Sequence, residues 1–155
     1  MKSDDPRLIE SRKLLAERIA KYDERIVTVL KNHLAAEQSL NDLLAAASRR
    51  WKKRSFAGKI DVAKKLFLPD LSEELWDTLK AGNELRNAVA HGHKEGTVAA
   101  RMTDLRKAFL ASVSPERRKG IEEMNDTQTV MSAFSHCGSY LVVAAQNKRA
   151  AGAKK

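Results

Sequence analysis

The sequence predicts an all-α protein, an up-and-down helical bundle, and three observations carry that expectation. Apolar residues recur at spacings of three, four and seven along almost the whole chain, the period of a helix with one buried face. No stretch alternates apolar and polar residues as a half-buried strand does. From Arg7 to Ala57 there is neither glycine nor proline to interrupt a helix.

Each element has its own signal. Leu8, Leu15, Ile19, Tyr22, Ile26, Leu30, Leu34, Leu40 and Leu44 describe one very long helix or two in series. A breaker region spans Ser48 to Ser55. Phe56, Ile60, Ala63 and Phe67 mark a short helix that must stop before Pro69, because the residue ahead of a proline is steered out of the α region. Ser72 is a plausible N-cap, with Glu73 and Glu74 in the first turn where the helix dipole favours them. That helix runs to His91, and Gly92 suits the left-handed residue that closes a helix. Val98, Met102, Leu105 and Phe109 form the next stripe. Pro115 opens a short helix at its first position. The last helix, from about Asp126 to Lys148, turns Val130, Phe134, Cys137, Leu141 and Ala144 inward. The expected organisation is one domain over residues 1–148 and a basic disordered tail over 149–155.

At 155 residues, with 43% hydrophobic and 32% charged side chains, the chain is long enough to bury a substantial core. No apolar run approaches the roughly 18–20 residues of a membrane span, and the N-terminus lacks a signal-peptide hydrophobic region. The expected compartment is therefore cytoplasmic, with no membrane partner. Cys137 is the single cysteine, which excludes an intrachain disulfide framework and a multi-cysteine metal site. Its place on an apolar face makes it a small core residue.

The formal charge of +9 is unevenly spread. Arg49, Arg50, Lys52, Lys53, Arg54 and Lys59 supply six positive charges with no acid among them. Such a block points to a polyanion, nucleic acid first; the alternative is a solvated loop. Trp51 lies inside the block and could stack on a base. Trp76 is expected at the core edge and His136 in solvent.

The most informative segment runs from Asn83 to His93. On a helical wheel Leu75, Leu79, Gly82, Val89 and Ala90 share an arc of about 100°, and Arg86 falls inside it. An arginine on a core face needs a partner or a ligand. Glu37 holds the matching place on its own apolar face, flanked by His33 and Asn41. The expected outcome is a largely buried Arg86–Glu37 pair, worth about 3–5 kcal/mol if one member is removed. Two readings of it stay open. Either the pair is structural, or Glu37 orients Arg86 while the guanidinium offers its remaining donors to a phosphate. Asn83, Asn87 and His91 form a polar stripe along the same edge. His91, in the last turn, is an acid–base group suited to neutral pH, yet lies about 140° from Arg86 on the wheel; the two converge only across a groove or an interface. His91 and His93 look like half of a metal site, but nothing completes it at ligand spacing, so neither metal nor other cofactor is expected.

Arg86-Asn87-Ala88-Val89-Ala90-His91 resembles the Arg-polar-x-x-x-His motif of the HEPN superfamily, the higher eukaryotes and prokaryotes nucleotide-binding domains. The wider stretch Phe56 to Ala63, then Leu75-Trp76, then Leu85 to Gly92, is similar to the bacterial branch that includes mannitol operon repressor-like proteins. The resemblance covers roughly residues 20–148. It implies an all-α bundle and a homodimer with the two motifs facing one another. It also implies a metal-independent endoribonuclease of toxin or defence type that cuts single-stranded RNA. Carried over, Arg86 would hold the scissile phosphate, His91 would transfer protons, and Asn87 would orient one or the other. Beside the resemblance, the residue pattern itself names Asn83, His93 and Glu37 as supporting the site and Arg49, Arg50, Lys52, Lys53 and Arg54 as binding the strand. Toxin members paired with an antitoxin often carry a tyrosine, which is modified, where this chain has His93. Control by that modification is therefore not expected, while an antitoxin or regulatory partner protein remains an expected kind of partner. The second reading is a non-catalytic regulator of the repressor-like type, acting on a partner protein or nucleic acid. No helix-turn-helix signature supports direct sequence-specific DNA reading.

Overall fold

A computed structural model describes residues 5–20 and 24–154; Tyr22 of the first stripe and Lys155 of the tail lie outside them. Among the described residues there are seven α-helices and no strand: α1 (Pro6–Ala20), α2 (Glu24–Ala46), α3 (Phe56–Phe67), α4 (Glu73–Ala90), α5 (Glu95–Ala111), α6 (Pro115–Glu122) and α7 (Asp126–Ala153). The protein is an all-α bundle, as its periodicity predicts.

Local chemistry sets the helix ends. Ser55 and Ser72 accept the Gly58 and Leu75 amides at 3.1 and 3.4 Å, satisfying donors that a helix start leaves free. Asn125 and Gln128 exchange hydrogen bonds as a reciprocal cap at the start of α7. At the end of α4, Gly92 takes φ +63°. The His93 amide then reaches Ala88 O at 2.9 Å and the Gly92 amide reaches Val89 O at 3.3 Å. This is the paired closure that a left-handed residue permits.

The core is one cluster drawn from α2 to α7. α2 and α7 share the most extensive interface and run in the same sense: His33 meets Phe134, Ser39 lies near Gly138, and Arg149 reaches Asp42 O. α4 crosses them in the opposite sense, with Leu75 O beside Cys137 and Gly82 against Phe134. A side chain at position 82 would place its Cβ 2.7 Å from the Phe134 ring, so glycine lets these helices approach. α4 is therefore the central helix, and its buried residues span far more than one stripe.

Several expectations change here. Trp76 is not at the core edge; it is fully buried, because α4 is covered on most sides. His136 is half-buried against Phe109 and Tyr140 at ring distances of 5.6 and 5.0 Å, so it is only partly in solvent. Ala90 is exposed at the end of its stripe. The tail expected from 149 onward is helical through Ala153. Ala150, Ala151 and Ala153 extend α7 at little conformational cost, although they bury nothing. α1 is the outlier: it contains no buried residue and exposes Ile9, Leu14, Leu15 and Ile19.

Candidate anion-binding site

Three elements converge beside the C-terminal half of α4. α2 contributes His33 and Glu37, one turn apart on its inner flank. The start of α3, fixed by the Ser55 cap, contributes Phe56 and Lys59. α4 contributes Asn83, Arg86 and Asn87, whose spacing puts them on one side of that helix. Between them lies a cleft of about 490 Å³, lined by His33, Glu37, Arg54, Asn83, Arg86 and Asn87 among others.

The charge pairing in this cleft differs from the sequence expectation. Glu37 does not pair with Arg86. Its carboxylate accepts from Lys59 Nζ at 2.5 Å. Lys59 shares the inward arc of α3 with Phe56, Ile60 and Ala63 and is only 5% exposed, so its ammonium reaches the carboxylate from inside the bundle. The Lys59 nitrogen also sits 5.4 Å from the centre of the Trp51 ring, a favourable place for a cation. Arg86 is half-buried rather than buried. Among the described residues its guanidinium makes one hydrogen bond, from Nη1 to Asn87 Oδ1 at 3.2 Å, and no carboxylate lies within ion-pair range.

His33 is 4% exposed. Its ring packs on Phe56 at 4.4 Å and meets Phe134 edge-on at 6.0 Å. Nε2 lies 3.2 Å from Asn83 Oδ1; the amide oxygen only accepts, so in this arrangement Nε2 carries the proton. Burial pushes the His33 pKa down, with the Arg86 and Lys59 charges acting in the same direction against Asn83 and Glu37. His136 is also lowered, first by burial and then by Arg117. Both rings are therefore favoured as neutral in the folded protein, while the unfolded chain binds protons more readily. Their contribution is complete above the unfolded value of about 6.5 and drains away as pH falls below it. The urea midpoint should hold steady from pH 8.5 to 7.5 and fall between about pH 6.5 and 5. In His33→Gln that fall should be smaller; a midpoint that rises on acidification contradicts the assignment.

His91 is not in the cleft. It caps α4 at φ −92° and ψ 5°, is exposed, and stands 6.2 Å from the equally exposed His93 ring. The structure thus brings Arg86, Asn87, Asn83 and Glu37 together and leaves His91 and His93 outside. No group of three His, Cys, Asp or Glu side chains among the described residues is placed to hold a metal ion. Cys137 is buried, with its thiol pushed up to about 12 by burial.

The basic residues form the loop between α2 and α3. Ser48, at φ +57°, turns the chain out of α2, and the Arg49 amide closes on Leu44 O at 2.9 Å. Arg49, Arg50, Lys52, Lys53 and Arg54 are exposed around the half-buried Trp51, and they line a second hollow of about 490 Å³. Arg54 borders both hollows, so the basic loop adjoins the cleft, whose lining also carries Glu37 and Glu84.

Two cleft residues, His33 and Lys59, have their place in the sequence beside Glu37 and in the basic block but no role in a site there. His33 stands four residues before Glu37 on the same flank, and Lys59 falls on the apolar arc of α3; both positions were visible as helical phase. No family model, no curated protein and no solved structure matches this chain.

Proposed function

We propose that this protein binds single-stranded RNA across the Arg86 cleft and the 49–54 loop and cleaves it as a metal-independent endoribonuclease of the HEPN type. The observation that carries the reading is the state of Arg86. Lys59 occupies the one nearby carboxylate of α2, so a half-buried guanidinium faces the cleft with its remaining donors uncommitted to any acid. A planar cation with several parallel donors suits a phosphate. The five basic side chains of the adjoining loop supply strand affinity independent of sequence, and Trp51 offers a face for a base.

In the proposed reaction the ribose 2′-oxygen attacks the neighbouring phosphorus and the 5′-oxygen leaves. The products are a 2′,3′-cyclic phosphate and a 5′-hydroxyl. Arg86 stabilises the charge that builds on the phosphoryl oxygens, and Asn87 holds the guanidinium in place. A histidine moves the protons. In a homodimer the helix-end His91 of a second copy could face the cleft; within one chain it lies outside. That position favours a second reading, a non-catalytic HEPN-like regulator that binds RNA or a partner protein through the same surface.

The test is incubation of the purified protein with a mixed RNA pool in EDTA, followed by analysis of the ends. Cleavage leaving cyclic phosphate, with DNA of the same sequence intact because it lacks the 2′-hydroxyl, is the expected result. RNA binding without cleavage transfers support to the regulator; neither binding nor cleavage removes both.

A further inference from the structure

We propose that the proton-transfer group of the Arg86 cleft is His33, and that Asn83 is the residue that positions it; this rests on the ribonuclease reading above. His33 is a histidine of the same chain that lines the cleft with Arg86. Its ring is held on three sides, by Phe56, by Phe134 and by the hydrogen bond to Asn83, so its direction is fixed before any ligand arrives. With the proton on Nε2 and engaged by Asn83 Oδ1, Nδ1 carries the free lone pair. No hydrogen bond among the described residues engages Nδ1, and the ring lines the cleft.

That arrangement is a general base with an orienting partner, the relation seen wherever an imidazole nitrogen is aimed by a bond to the other. The charged groups lining the cleft with it are Glu37 from its own helix, Glu84 and Arg86 from α4 and Arg54 from the loop, and the Lys59 charge of α3 acts on it as well; α7 presents the Phe134 ring. The Glu37 charge is answered by Lys59, so the remaining cations and the burial keep the ring neutral in the resting site, the state that can accept a proton. The step balances. Nδ1 takes the proton of the 2′-hydroxyl, the O2′–P bond forms, and the P–O5′ bond breaks. The leaving 5′-oxygen takes up a proton from water or from the newly formed imidazolium. His91 is exposed at a helix stop and has no hydrogen bond to direct its ring.

Three measurements test this. His33→Gln should lower the cleavage rate by roughly 10²–10⁴-fold while RNA affinity stays within about twofold, a separation that loss of fold would not produce. Circular dichroism and a thermal melt check folding, and His33→Phe, which keeps the ring packing, serves as the second variant. Asn83→Ala should move the acid limb of the pH–rate profile, a readout indifferent to a purely structural role. Inorganic phosphate should raise the NMR titration midpoint of the His33 ring, and should fail to do so in Arg86→Gln. If the wild type cleaves and His33→Gln cleaves equally, or if His91→Ala alone abolishes cleavage, this inference is wrong and the ribonuclease reading survives. If the titration does not respond to phosphate, His33 is not at the anion site. If the wild type leaves RNA whole, the underlying reading fails and this inference with it.

Discussion

Glu37→Ala is expected to destabilise the protein by about 3 kcal/mol, measured by urea unfolding with fluorescence and circular dichroism together. The Lys59 side chain is only 6% exposed against 28% for Glu37. Removing the carboxylate therefore strands an ammonium that the bundle holds inside, and most of the cost is that stranded charge. The exposure of Glu37 places the effect toward the lower end for a buried pair. Replacing both partners, Glu37→Leu with Lys59→Met, should recover most of the loss, since apolar groups of similar length fill the same space without a desolvated charge. A single-variant cost below about 1 kcal/mol would be that of a surface pair and would show that water reaches Lys59.

Arg86→Gln should separate function from stability. No carboxylate loses a partner in this variant, so unfolding free energy should change by less than about 1 kcal/mol. Cleavage of RNA should fall by roughly 10²–10³-fold, the usual loss when one donor to a developing oxyanion is removed. The salt dependence of binding should flatten by about one phosphate contact. A loss of stability as large as that of Glu37→Ala would mean that Arg86 holds the fold, and the phosphate reading would fail with it. The two variants therefore tell apart the structural cation of this cleft from its uncommitted one.

Helical phase made much of this architecture legible. The Phe56–Phe67 and Glu73–Ala90 helices and the Ser72 cap follow from apolar spacing, Pro69 and Gly92. Phase also placed Glu37 and Arg86 on facing surfaces. It did not say which cation would reach the carboxylate, because that depends on how far α3 inserts between α2 and α4, a tertiary distance with no local signature. The same gap explains Trp76. A wheel gives the direction of a side chain, but not how many helices cover it. His33 was visible beside Glu37, but helical phase does not show the partner on its ring nitrogen, Asn83 of another helix.

α1 has a consequence for cooperativity. Its first turn is capped by Asp5, which accepts the Arg7 amide at 2.9 Å, and its interior is rich in residues of good helix propensity. Yet it buries no side chain, and a lone helix of 15 residues is only marginally stable in water. The free energy that holds α2 to α7 is thus not shared with α1. Unfolding of the whole chain should be a sum of two unlinked processes: a broad, early loss of helix signal from α1 with little heat, and a sharp transition of the bundle in which Trp76 loses its surroundings. A single two-state fit to ellipticity would then understate the enthalpy of the bundle, whereas tryptophan emission, blind to α1, would give it correctly.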